Sequence, residues 1–137
     1  MARKAVVDAV AGHLAANWTR CPIIGPNETG DADPAGGPFL SVEYPVATES
    51  QISTGAPGAN IWREEGVFRL LLHVERNAGV DLILTWADEL AALFRGRRLA
   101  EHIQCWAVMS PRLDDDSDER GYYQSVIAVG YEADLFA

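Results

Sequence analysis

Lysine is almost absent from this 137-residue chain: Lys4 is the only one, and eleven basic residues face twenty acidic ones for a formal charge of −9. A phosphate-cradling loop ending Gly-Lys-Ser/Thr is therefore impossible. The acidic balance also makes free nucleic acid a poor partner, because carboxylates repel phosphates. Cysteine is scarce too. Cys21 and Cys105 stand far apart, and one disulfide between them is compatible with the sequence. No export-signal core follows Met1, so a reduced, cytoplasmic setting is expected. No apolar run approaches the ~18 residues needed to span a bilayer, and no membrane partner is expected.

Chemical signatures are missing as well. There is no Gly-x-Ser-x-Gly elbow and no Ser-x-x-Lys. Gly55-Ala56-Pro57-Gly58 fails as a dinucleotide fingerprint, since Pro57 interrupts it and no helix follows. His13, His73 and His102 have no partner at a spacing such as His-x-x-x-His, and no Cys stands beside any of them. Asp114, Asp116 and Asp118 alternate as in a calcium loop. However, Glu119 stands where that loop needs Gly, and Ser125 where it needs Glu. The run from Asp114 through Asp115 to Glu119 reads as a solvated hairpin tip. No enzyme, cofactor or metal is expected.

What is present suits one domain over residues 1–137. Four Trp, four Tyr and four Phe supply bulky core anchors. Val6, Val10, Leu14 and Trp18 recur every fourth residue, predicting a helix over 3–18 that Pro22 stops. Residues 25–38 hold too many glycines and prolines for a regular element. Leu40, Val42, Tyr44 and Val46 alternate, predicting a strand over 39–46 with Pro45 at an edge or bulge. A second strand over 61–75 puts Phe68, Leu70, Leu72 and Val74 on one face. The two make a hairpin with a connection of residues 47–60, unusually long for a turn.

Val80, Ile83, Leu84, Ala87, Leu90, Ala91 and Phe94 mark a helix over 80–94, with Arg95, Arg97 and Arg98 complementing its C-terminal dipole. These arginines also suit a subunit interface, where they could meet a neighbour's acidic loop. Strands over 102–109 and 122–132 complete the order α-β-β-α-β-β. The expected fold is α+β: a two-layer sandwich with a four-stranded, mostly antiparallel sheet and two helices on one face.

A resemblance runs through the chain as a series of small features. They are Pro22-Ile23-Ile24-Gly25-Pro26-Asn27-Glu28, Pro38-Phe39-Leu40-Ser41-Val42, Ser53-Thr54-Gly55, and Arg63 with Glu65-Gly66-Val67-Phe68. Ala87-Asp88-Glu89-Leu90 with Phe94, Ser110-Pro111, Gly121-Tyr122-Tyr123 and Tyr131-Glu132-Ala133-Asp134 follow. In these the chain resembles the tail terminator (tail completion) proteins of long-tailed bacteriophages, similar to the lambda-type terminator. The resemblance implies a structural virion component, assembled in the host cytoplasm and located in the virion tail. It implies a hexameric ring that caps the tail tube, stops tube polymerisation and meets the head–tail connector. DNA would pass through the ring without specific binding.

By analogy, Glu49, Gln51, Ser53, Thr54, Asn60 and Arg63, on or beside the 47–60 loop, are candidates for assembly or for lining the lumen. Asp114, Asp115, Asp116 and Asp118 are candidates in the acidic hairpin. The alternatives are another neck or head–tail connector protein, or a small acidic module that mimics DNA in a basic groove.

Overall fold

The computed structural model describes residues 2–27, 37–75, 79–114 and 122–137. Two helices and seven strands run in the order α1 (Lys4–Asn17), β1 (Ile23–Ile24), β2 (Phe39–Gln51), β3 (Ile61–Glu75), α2 (Asp81–Phe94), β4 (Arg98–Ala100), β5 (Ile103–Val108), β6 (Arg112–Asp114) and β7 (Tyr122–Phe136). The strands form one curled sheet in the order β1-β2-β3-β7-β5-β4, with β6 also on β7. β1 lies parallel to β2, and every other pairing is antiparallel.

This overturns the expected four-stranded sheet in the order α-β-β-α-β-β. Three short strands were added. β1, β4 and β6 have two or three residues each, too few to show a period of two, and they form because an existing edge offers hydrogen bonds. β6 falls between the expected strands over 102–109 and 122–132. The sheet is also mixed, because the segment after α1 pairs with β2 through Ile23 and Ile24.

β2 and β7 outrun the expected strands, whereas β3 spans 61–75 as expected. β3 and β7 pair without interruption from Ile61↔Phe136 to Glu75↔Tyr122. β2 continues past Val46 to Gln51, so only residues 52–60 connect it to β3. A register shift between Glu43 and Val46 explains a second departure. Leu40, Val42 and Tyr44 face inward, but the bulge at Pro45 reverses the alternation and leaves Val46 57% exposed on the opposite face.

The irregularities line up. The β2 bulge, Gly66 and Gly130 on β3 and β7, and a second register shift between Cys105 and Val108 on β5 cross the sheet side by side. Bulges and glycines bend strands, and here they bend four neighbours along one line. Gly66 lies under the ring of Tyr131, its partner across the ladder. A Cβ there would sit 2.6 Å from the Val46 carbonyl oxygen and 2.7 Å from the Tyr131 hydroxyl, so no side chain fits.

The core lies between the inner sheet face and both helices. Val6, Val10 and Leu14 of α1 and Ile83, Ala87, Leu90 and Phe94 of α2 join Phe68, Leu70, Leu72, Ile127 and Val129 in one cluster. Phe68 is at its centre, with ring contacts to Phe94 at 5.2 Å and Tyr131 at 6.0 Å. The helices are also tied to each other. His13 Nε2 is 2.7 Å from the Leu93 carbonyl oxygen, and Arg20 donates two hydrogen bonds to Glu89 at 2.9 and 3.0 Å.

Candidate functional site

The sheet beyond the bend gathers the six candidates from Glu49 to Arg63. β2 from Val46, the first half of β3, the end of β7 and the start of β5 form an extension there, three-stranded at its far end. Its tip is a self-contained loop. Ala59 N–H donates to the Ala56 carbonyl at 2.8 Å around Pro57 and Gly58, and Gly58 has φ 82°. Pro followed by a positive-φ Gly is the requirement of a type II turn.

Ser53 and Asn60 hold this loop to the strands. Asn60 Oδ1 accepts from the Ala56 N–H at 3.2 Å and from Ser53 Oγ at 3.4 Å, while Ser53 Oγ accepts from the Ile61 N–H at 2.7 Å. The backbone of Asn60 also exchanges both hydrogen bonds with Ala137, at 2.9 and 3.0 Å. The polar atoms of these two candidates therefore bind the loop to itself. Thr54 and Gln51 face solvent.

Arg63 is committed within the outer face of the extension. Its guanidinium donates to both carboxylate oxygens of Asp134, directly across the ladder, at 2.8 and 3.1 Å, and it ion-pairs with Glu132. The hydrogen bonds from Arg63 hold the Asp134 carboxyl below its ordinary range. The bidentate geometry fixes both side chains.

On the inner face lies a buried polar cluster. Glu64 is 4% exposed and accepts a 2.8 Å hydrogen bond from the Tyr131 hydroxyl, while Arg3 ion-pairs with both Glu49 and Glu64. Burial, followed by the Glu64 carboxylate, pushes the Tyr131 phenol well above its ordinary value. Arg3 caps no helix with its side chain; it fastens the start of α1 to β2 and β3. Of this group only Glu49 was expected as a site residue. Glu64 had left a signal: it shares the alternation of Phe68, Leu70 and Leu72, so a carboxylate was being placed on the core-facing register.

A shallow pocket of about 290 Å³ opens beside the Arg63 pair, with Trp106, His102, Gln104 and Arg98 on its walls. Trp106 is 53% exposed and was not anticipated as a surface residue. Arg95, Arg97 and Arg98 follow α2 and flank β4, all exposed. Among the described residues none of them pairs with a carboxylate, whereas Arg3, Arg20, Arg63 and Arg69 each do. The structure thus places the basic cluster at the opposite end of the sheet order from β2.

Asp114 ends β6. Asp115, Asp116 and Asp118 lie outside the described residues. Among those described, no three His, Cys, Asp or Glu side chains group as a metal site would. No described helix is long and apolar enough to cross a membrane. Cys21 and Cys105 are both free thiols.

The family model described as phage tail terminator protein matches residues 5–131. Among curated proteins, none matches. A solved structure at 18% identity covers 95% of this chain and 96% of its own, with a TM-score of 0.60. That likeness is one of fold.

Proposed function

Because the chain belongs to the phage tail terminator family and so has a structural role in the tail, we propose that it caps the finished tail tube as a hexameric ring. In that position it stops tube polymerisation and offers its other face to the head–tail connector. The role is one of contact, and no reaction is assigned to it. The observation that carries the reading is the extent of the family match, which runs from the second residue of α1 through every other element to Tyr131 within β7.

The geometry suits such a part. The extension holds its shape by cross-strand ion pairs and by its self-bonded loop, so it can be presented without a partner to order it. The charge suits a DNA conduit. A ring of chains each bearing −9 repels phosphates from its channel, and at physiological salt that field reaches ~8 Å. DNA then crosses without adhering.

Polymerisation of purified tail tube protein, followed by electron microscopy, tests the reading. Adding this protein should arrest growth and leave a ring at one tip of each tube. Tubes that elongate at an unchanged rate, with bare tips, would overturn it. A protein that binds the connector but ignores the tube would instead be a neck component.

A further inference from the structure

The two edges of the sheet differ in what they offer. β2 is paired with β3 on one side, while on the other β1 covers only Leu40 and Ser41. Along residues 46–51 the outer row of backbone N–H and C=O groups has no backbone partner among the described residues. Such a row is a template for another strand. The bulge spoils only its start, because from Val46 to Gln51 the ladder with β3 is unbroken. No lysine, no proline and no further bulge interrupt Val46-Ala47-Thr48-Glu49-Ser50-Gln51, and Glu49 is the one charged residue in it.

At the other edge, among the described residues, β4 pairs only with β5, and the exposed Arg95 and Arg97 before it and Arg98 at its start have no carboxylate partner. On a chain of charge −9 that cluster stands out. The β2 edge carries the opposite sign. Glu43 and Glu49 remain 48% and 45% exposed despite their contacts with Arg69 and Arg3. A carboxylate has lone pairs for more than one donor, so both can take a second guanidinium.

We propose that these edges bind each other between copies of this chain: residues 46–51 of one copy accept the strand edge at residues 97–100 of the next. The proposal rests on the ring reading and names the surfaces through which neighbours meet. Charge selects the pairing. β2 against β2 would set acid against acid, and β4 against β4 arginine against arginine, so only unlike edges attract. Two different surfaces joined head to tail give a ring when the rotation closes, and do not give a two-fold dimer.

A charge swap tests this in solution. One variant carries Arg95→Glu, Arg97→Glu and Arg98→Glu; the other carries Glu43→Lys, Thr48→Lys and Ser50→Lys, all exposed positions. By sedimentation velocity the unmodified chain should assemble, and each variant alone should do so at least tenfold more weakly. Their equimolar mixture should recover assembly, because every interface in an alternating ring again joins unlike charges.

Hydrogen exchange on the unmodified chain gives a second readout that needs no variant. Amides in 46–51 and 97–100 should gain protection on assembly. An unmodified chain that stays monomeric, variants that assemble unaided, a mixture that stays apart, or unprotected amides would each overturn the pairing. Assembly through these edges with no effect on tube growth would overturn the terminator reading while leaving the pairing intact.

Discussion

Replacing Gly66 by alanine should damage this protein far more than its single methyl suggests. The new Cβ would meet the Val46 carbonyl oxygen at 2.6 Å, the Tyr131 hydroxyl at 2.7 Å and the Tyr131 Cζ at 2.9 Å. The first obstacle is backbone and the others belong to a side chain held by a 2.8 Å hydrogen bond to buried Glu64. None of them can retreat cheaply. Overpacking of this kind costs about 1–3 kcal/mol. Displacing the hydroxyl also strips a buried carboxylate of a donor, worth about 1.5–3 kcal/mol. Because the two losses overlap, the expected destabilisation is about 2–5 kcal/mol, a large share of a domain's usual reserve of about 5–15 kcal/mol. For a chain of this size that lowers the melting temperature by roughly 6–15 °C.

Urea unfolding of Gly66→Ala beside Gly12→Ala provides the measurement. Gly12 lies within α1 with open space around the equivalent Cβ, so its replacement should stabilise by about 0.5–1 kcal/mol through helix propensity. Adding Tyr131→Phe to Gly66→Ala should cost less than the two single changes together, because the first has already broken the bond to Glu64. Wild-type stability for Gly66→Ala, or strict additivity in the double variant, would refute the packing argument.

Three further outcomes are expected. Asp134 has a lowered pKa in the fold, so its bond to Arg63 stabilises above the ordinary aspartate range and is lost as pH falls through the folded value; the urea midpoint should drop on the acid side, and Asp134→Asn should flatten that drop. Burial pushes the Cys105 thiol up to about 12, so in the folded protein at pH 8 a thiol reagent should leave it unmodified, and equal labelling before and after unfolding would contradict its placement. Phe68→Ala should cost about 3–5 kcal/mol by calorimetry, since a fully buried ring touching Phe94, Tyr131 and Tyr44 leaves a cavity the strands cannot close; a loss under 1 kcal/mol would contradict its central position.

The elements legible in the sequence were those long enough to repeat. Val6, Val10 and Leu14 located α1, and the stripe from Ile83 to Phe94 located α2, each within a residue or so of its end. Phe68, Leu70, Leu72 and Val74 located β3 and its inward face. What periodicity could not carry was pairing. β1, β4 and β6 exist because neighbouring strands hold them, and β2 reaches Gln51 through polar residues that only the ladder with β3 explains.

At Pro45 a visible signal was half used: the proline predicted a bulge, and the consequence, Val46 turning outward, needed the register. The candidate site was legible in the same uneven way. Glu49, Ser53, Asn60 and Arg63 were named by analogy with the resembled family, and the three arginines from their charge. Glu64, Tyr131, Trp106 and Asp134 become a site only once β3, β5 and β7 lie side by side.

The central claim is that this chain ends the tail, and tail length in a phage lacking its gene tests that most directly. Electron micrographs should show tails of over-long and variable length, unjoined to heads, with normal length restored by the wild-type chain supplied in trans. Tails of normal, uniform length in its absence would contradict the account.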